Sequence, residues 1–242
     1  MQIIRFDTAG ELDAYAANVM AETIKSKNNP VLGLATGSTP LGIYDKMAEL
    51  YRGGQLSFER VTTFNLDEYV GLPANHEQSY AYYMSKHLFS KINIPKNQTN
   101  LPNGIAENLE QECAGYEAKL ESRPIDIQLL GLGHNGHIGF NEPGETLSGK
   151  THVVELKPET RKANARFFDS LDDVPKYAVT MGVGSILKAN TIMLAVRGAD
   201  KAAIVREALT GPITTKVPAS LLQTHPRVLV LLDREAGRML ER

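Results

Sequence analysis

The stretch from Ile125 to Gly144, IDIQLLGLGHNGHIGFNEPG, constrains the fold more than any other part of the sequence. It begins with an apolar run of Ile and Leu residues, which is typical of a strand that is buried on both faces of a parallel sheet. Open α/β sheets bind their ligands beyond the carboxyl ends of their strands. A buried strand followed by an active-site loop is therefore predicted. The polar residues within this glycine-rich loop are His134, Asn135, His137, Asn141 and Glu142.

Strand-like and helix-like segments alternate along the whole chain. Short apolar runs are separated by segments in which apolar residues recur at helical spacing, as from Ala9 to Lys27. Gln98 to Gly104 is predicted to be an irregular loop. No repeat or linker interrupts the pattern, and 242 residues suit one α/β domain. We therefore predict a Rossmann-like, open, mostly parallel sheet with helices on both faces, in a single domain over residues 1–242.

A second candidate site is the turn Thr36-Gly37-Ser38-Thr39-Pro40, which joins a predicted strand to a predicted helix. Ser38 or Thr39 can cap this helix, and proline suits its first position. Free backbone N–H groups and the positive end of the helix dipole converge there, as in a phosphate site. The turn lacks the P-loop and GxGxxG motifs, which disfavours a nucleotide. From the turn alone, a phosphate cradle and a ligand-free capped turn are equally good interpretations.

Two adjacent carboxylates, Asp67 and Glu68, follow a third predicted strand, Val61 to Leu66. Alternation along a strand sends neighbouring side chains to opposite sides, so at most one of them can face a shared cleft. Their position at the end of a strand suggests a site, but spacing alone favours a solvated turn.

The two histidines of the central loop, His134 and His137, admit two interpretations. Their pairing suggests zinc, but no third ligand stands at a recognised spacing, so we predict no metal. Acid–base chemistry is favoured instead: His137 would transfer a proton, and the nearby Glu142 would tune it. A catalytic nucleophile is disfavoured because no Ser or Cys lies in an elbow motif.

Charge and cysteine content narrow the class of partner and the compartment. The formal net charge is −2 and the basic residues are dispersed, which argues against nucleic-acid and anionic-membrane partners. The one cysteine, Cys113, cannot form an intrachain disulfide and fits a reducing compartment. No signal-like segment is recognised, and no apolar run approaches the roughly 18 residues of a membrane span. We therefore expect a soluble, cytoplasmic protein.

Four motifs resemble those of the glucosamine-6-phosphate deaminase family. In chain order they are LATGSTP (Leu34 to Pro40), TFNLDEYVGL (Thr63 to Leu72), GLGHNGHIGFNEP (Gly131 to Pro143) and TRKANARFF (Thr160 to Phe168). The match is collinear and extends nearly to the last predicted strand, and the second and third motifs are highly specific. The resemblance implies conversion of D-glucosamine 6-phosphate and water to D-fructose 6-phosphate and ammonia, without metal or organic cofactor.

The same resemblance implies a role for each site residue. His137 would open the pyranose ring, and Glu142 and Asn135 would hold and tune it. Asp67 would remove the C2 proton of the open-chain sugar and return a proton at C1. The residues that would bind the phosphate are Thr36, Gly37, Ser38, Thr39, Arg166 and Lys201.

Two departures from the family pattern give further expectations. Many members have aspartate where this chain has Asn135, so we expect activity with an altered pH profile. Longer members carry a C-terminal extension and basic residues near the positions of His152 and Val154, which form an allosteric site for N-acetylglucosamine 6-phosphate. Because valine cannot bind phosphate and the sequence ends at Arg242, we expect a monomer or weak homo-oligomer without that activation.

Two other functions stay open as alternatives. A 6-phosphogluconolactonase shares the fold and a phosphate turn, but it needs no proton abstraction at a sugar carbon, and the Asp-Glu-Tyr motif argues against it. A sugar-phosphate sensor in a transcription regulator would need a DNA-reading module. The first 30 residues contain one predicted strand and one predicted helix, too few for a helix-turn-helix domain.

Overall fold

The computed structural model describes residues 1–240, in which strands and helices alternate along most of the chain. The strands are β1 (Gln2–Phe6), β2 (Val31–Leu34), β3 (Thr62–Asn65), β4 (Asp67–Tyr69), β5 (Thr99–Asn100), β6 (Ile127–Leu130), β7 (His152–Glu155), β8 (Tyr177–Thr180), β9 (Thr191–Val196) and β10 (Val228–Asp233). The α-helices are α1 (Ala9–Ser26), α2 (Pro40–Arg52), α3 (Tyr80–His87), α4 (Leu109–Ser122), α5 (Pro158–Asn164), α6 (Val183–Leu187) and α7 (Ala202–Thr210). Across residues 1–240, no helix combines the length and apolar character that crossing a membrane requires.

Seven strands form the main sheet, and all neighbours in it run parallel in the order β1-β10-β9-β6-β2-β3-β5. Leu34 of β2 pairs with Asn65 of β3, and Leu130 of β6 pairs with Leu194 of β9. The loops after these strands therefore meet at one edge of the sheet, where α/β proteins place ligands. The predicted Rossmann-like, mostly parallel sheet with flanking helices is confirmed, whereas its assignment to one domain stays a prediction.

The central strands of the main sheet are buried on both faces. All residues of β2, β3 and β6 are buried, which confirms the buried strand predicted ahead of the central loop. Gln128 of β6 is polar yet fully buried, and its Nε2 donates to the Leu129 carbonyl at 2.9 Å. Its side chain occupies the space beside Gly33 of β2, where any Cβ would collide with it. A glycine at this position therefore lets a polar side chain fit between two central strands.

Two short strands correct expectations: β4, in a second, antiparallel sheet of order β4-β8-β7, and β5, at the edge of the main sheet. Asp67 and Glu68 do not lie in a solvated turn: both are buried in β4, whose backbone groups pair with β8. The predicted irregular loop from Gln98 to Gly104 contains β5, which pairs with the edge of the main sheet at β3. Both strands are too short to produce a recognisable period in the sequence, so tertiary pairing decides them.

Candidate active site

A cavity of about 800 Å³ lies at the carboxyl edge of the main sheet. It is lined by the turn after β2, by β4, by the loop after β6 and by the segment after β9, as the parallel register requires. Glu142 is absent from the lining and lies behind His137. The predicted site residues that line the cavity are Thr36, Gly37, Ser38, Thr39, Asp67, Asn135, His137, Arg166 and Lys201.

Asp67 presents a carboxyl group to this cavity from a buried position, with 6% of its surface exposed. Burial raises its pKa from 3.8 to about 8, and the charge of the adjacent Glu68 adds to the effect. A carboxyl group with a pKa in this range can both accept and return a proton near neutral pH.

Glu68 points away from the cavity and holds the structure around Asp67. Its carboxylate accepts hydrogen bonds from the backbone N–H groups of Tyr69, Tyr80 and Ala81 at 2.8–2.9 Å. Burial raises the pKa of Glu68, and these three hydrogen bonds oppose the rise. Since Tyr80 and Ala81 begin α3, Glu68 satisfies free N–H groups of that helix and ties it to β4. The two neighbouring carboxylates thus face opposite ways, as strand alternation predicts.

His137, Glu142 and Asn135 form a connected cluster. Nδ1 of His137 lies 3.5 Å from Oε2 of Glu142, and Nδ2 of Asn135 donates to the same oxygen at 2.7 Å. Oδ1 of Asn135 accepts from the backbone N–H of His137 at 3.2 Å, and Thr160 donates its hydroxyl to the other Glu142 oxygen. Burial raises the pKa of Glu142, but its contacts with His137, Thr160 and Asn135 outweigh burial and lower it. Glu142 is therefore a buried anion behind the imidazole.

The turn after β2 leaves its backbone N–H groups unoccupied at the start of α2. Thr39 stands at the N-cap position and Pro40 begins the helix, as predicted, but no side-chain hydrogen bond caps it. Gly37 has a φ of +99°, which favours glycine, and its carbonyl accepts a 2.6 Å hydrogen bond from the hydroxyl of Tyr83. The free N–H groups at the start of the helix suit a phosphate.

Lys201 and Arg166, the two cations predicted to bind phosphate, both line the cavity. Lys201 donates to the carbonyl of Leu132 at 2.8 Å. Its pKa is lowered from 10.5 to about 8, mainly by burial; the charge of Asp200 opposes this shift and that of Arg166 adds to it. The guanidinium of Arg166 lies 4.7 Å from the ring centre of Phe167. A bound anion would stabilise the charged form of Lys201 and offset its repulsion from Arg166.

The two loop histidines belong to different pairs. Nε2 of His134 lies 2.7 Å from an oxygen of Asp200 at the exposed mouth of the cavity, whereas His137 faces Glu142 inside. Within residues 1–240, no group of three or more His, Cys, Asp or Glu residues is arranged to hold a metal ion.

Sequence reasoning missed several residues of the site. Tyr69 packs against Tyr80, Phe140 and Phe168 with ring centroids 4.8–5.8 Å apart, and its hydroxyl accepts a hydrogen bond from Asn164 of α5. These contacts connect β4, the central loop and α5 beneath the cavity. Arg197, at the end of β9, was also missed. Its position after a buried strand was the available signal, because that is the edge where α/β sheets bind ligands.

Comparisons with known proteins agree with this arrangement. Residues 6–230 match the family model of glucosamine-6-phosphate isomerases/6-phosphogluconolactonase. A glucosamine-6-phosphate deaminase of Clostridium perfringens is 52% identical over 242 residues, covering all of both chains. One from Thermoanaerobacter pseudethanolicus is 50% identical over 99% of this chain and 95% of its own.

Solved structures give the same result. A protein described as a monomeric glucosamine-6-phosphate deaminase superposes with a TM-score of 0.96 at 48% identity, over 99% of this chain and 100% of its own. The 6-phosphogluconolactonase of Trypanosoma brucei superposes with a TM-score of 0.81 at 21% identity, over 99% and 98% of the two chains. The second similarity shows a shared fold alone.

Proposed function

The chain belongs to the glucosamine-6-phosphate isomerase/6-phosphogluconolactonase family, and we propose on this basis that it is a glucosamine-6-phosphate deaminase. It converts D-glucosamine 6-phosphate and water to D-fructose 6-phosphate and ammonia, in amino-sugar breakdown. One observation carries the proposal: a buried carboxyl with a pKa near 8, a His–Glu pair and a phosphate-type turn share one cavity. We propose that neither a metal nor an organic cofactor takes part.

Phosphate binding is the basis of the mechanism, because it fixes the sugar relative to the reacting groups. It occupies the turn from Thr36 to Thr39 at the start of α2, where Lys201 and Arg166 supply positive charge. Binding energy from this remote group holds the sugar in place for the chemical steps.

His137 opens the pyranose ring. It takes the proton from the C1 hydroxyl and delivers one to the ring oxygen, while the buried Glu142 stabilises the imidazolium form between the two transfers. Asn135 orients Glu142 and the backbone of His137 through its two hydrogen bonds.

Asp67 then acts on the open-chain sugar. Its carboxylate removes the C2 proton to give an enolamine and returns a proton at C1, which yields an imine at C2. Water adds to the imine carbon and ammonia leaves, so the ketose is released. The substrate's ammonium group favours the ionised carboxylate before the transfer, because an opposite charge nearby lowers the pKa of a carboxyl.

The test is the release of products from glucosamine 6-phosphate in the presence of a chelator. Equal amounts of ammonia and fructose 6-phosphate are expected, with no loss of rate on chelation. A rate that falls with chelator and returns with added metal would contradict the metal-free mechanism. Hydrolysis of 6-phosphogluconolactone without ammonia release would favour the lactonase alternative.

Replacing Lys201 with methionine is expected to raise the KM for glucosamine 6-phosphate about 10- to 100-fold, because a charge-assisted hydrogen bond contributes about 1.5–3 kcal/mol. The kcat should change less, since the phosphate does not react. Lys119→Met is the matched control, because Lys119 is an exposed residue of α4 outside the cavity. A lower kcat at unchanged KM would place Lys201 in the chemistry instead.

Replacing Asn135 with aspartate is expected to retain activity and move the acidic limb of the pH–rate profile upward by about one unit. A carboxylate cannot donate to Glu142, and the second negative charge holds a proton in this cluster more tightly. Asn29→Asp, on the exposed surface, is the control for the added charge. A downward shift, or no shift, in the measured kcat/KM profile would contradict the electrostatic role assigned to Asn135.

We also propose that the protein is cytoplasmic and a monomer or weak homo-oligomer that lacks activation by N-acetylglucosamine 6-phosphate. The solved relative described as monomeric supports the proposal of a monomer. Val154, near whose position longer family members carry basic residues, packs against the small aromatic cluster around Tyr69. Sigmoidal kinetics relieved by N-acetylglucosamine 6-phosphate would contradict this proposal.

A further inference from the structure

Arg197 is a cation of the cavity that the proposed mechanism does not use. It follows the last residue of β9 directly, and 21% of its side chain is exposed. Because Arg197 is among the residues that line the cavity, that exposed part is available to a ligand there. Its guanidinium forms an ion pair with Asp13 of α1.

The position of Asp13 places this ion pair beside the phosphate turn. Asp13 is buried on α1, and its carboxylate fills the space next to Gly42, where any Cβ would collide with it. Gly42 lies in the first turn of α2, the helix whose free N–H groups face the cavity. Asp13 therefore holds the Arg197 guanidinium close to the start of α2.

The guanidinium retains hydrogen-bonding capacity for a second anion. Arginine carries five N–H donors, and one carboxylate can engage only some of them. Nε and Nη2 of Arg197 are buried, and Nη2 faces Asp13. Across residues 1–240 no hydrogen bond engages Nη1, which is therefore the nitrogen left for a ligand in the cavity. Burial lowers the pKa of Arg197, and the negative charge of Asp233 opposes this shift.

We infer that Arg197, held by Asp13, is a third cationic group for the substrate phosphate, in addition to Arg166 and Lys201. The inference rests on the proposed function, because it assigns a residue to the phosphate end of that substrate. Arg197 approaches from β9 on the α1 side of the turn, whereas Arg166 follows α5. The phosphate is thereby bound from two directions as well as by the backbone of the turn.

The experiment measures binding and kinetics separately. Arg197→Met should raise the KM for glucosamine 6-phosphate and the Kd for fructose 6-phosphate about tenfold, while kcat changes little. Arg197→Lys should recover part of the affinity, since it restores the positive charge but not the several donors of the guanidinium. Inorganic phosphate, titrated calorimetrically, should bind more weakly to Arg197→Met by a similar factor.

A second pair of variants keeps the test valid if the single methionine variant fails to fold, because that change leaves Asp13 buried without its partner. Asp13→Asn serves as the background, and Asp13→Asn/Arg197→Met removes the arginine without leaving a buried charge. The double variant should show a rise in KM and Kd relative to this background, smaller than that of the single variant because the background lacks the ion pair that holds Arg197. Lower thermal stability with unchanged KM and Kd would overturn the inference and make Arg197 purely structural.

Failure of the proposed function gives a different result. If the wild-type protein neither turns over glucosamine 6-phosphate nor binds fructose 6-phosphate, the function itself is wrong. If the wild type does both and the variants match it, only the role of Arg197 is wrong.

Discussion

Asp67→Asn is expected to reduce the turnover of glucosamine 6-phosphate about 10²- to 10⁴-fold, the range for removing a positioned acid or base. The amide cannot accept the C2 proton, while its size and position leave the cavity intact. The measurement is the rate of ammonia and fructose 6-phosphate release at saturating substrate. The exposed Asp7→Asn is the control. Ammonia release close to the wild-type rate would assign the C2 proton transfer to another group.

The same substitution is expected to stabilise the protein at neutral pH, which separates loss of function from misfolding. The pKa of Asp67 is about 8 in the folded state, against the ordinary value of 3.8 that applies in the unfolded chain. Between these pH values the unfolded chain has lost the proton and the folded chain keeps it, so the free energy of unfolding falls as pH rises. Asparagine removes this dependence. The Tm of Asp67→Asn should therefore exceed that of the wild type by more at pH 8 than at pH 5, and an equal difference would contradict the raised pKa.

His137→Asn is expected to slow turnover about 100-fold or more, because ring opening loses its positioned proton carrier. The decisive measurement is the isotope effect with substrate deuterated at C2. If ring opening limits the variant, the isotope effect falls toward unity, since the C2–H bond breaks after the slow step. A slow variant that keeps the full isotope effect would place His137 in proton transfer at carbon instead.

His134→Asn is the matched control for the His137 variant. His134 lies in the same loop, but it pairs with Asp200 at the exposed mouth of the cavity. Turnover close to the wild-type rate is expected, because no step of the mechanism passes through it. A large loss in this control would mean that the loop itself had been disturbed.

The main sheet and most of the site were predictable because their signals are local. The apolar residues before Gly131 indicate a buried strand, and the turn from Thr36 to Pro40 indicates a helix start with free N–H groups. Both predictions depend on neighbouring residues and on the rule that parallel strands end at one edge. The roles of Asp67 and Arg166 came from motif resemblance, because spacing alone did not distinguish them from solvated residues.

The parts that could not be predicted depend on contacts between distant segments. Strand β4 exists because it pairs with β8, and that pairing buries Asp67 and Glu68 together. Glu68 in turn binds N–H groups at the start of α3, which no pattern near Glu68 indicates. The ion pair between Asp13 and Arg197 likewise joins segments that are far apart in the sequence.

The sequence by itself determined the fold class, the family to which the chain belongs, and the central loop and the turn after β2 as candidate site segments. Tertiary structure alone decided how each group behaves: which carboxylate faces the cavity, why the pKa of Asp67 lies near 8, and where Arg197 is held. The physical reason is that strand periodicity and turn chemistry act between neighbouring residues. Burial and charge pairing, in contrast, depend on side chains that meet only when the chain has folded.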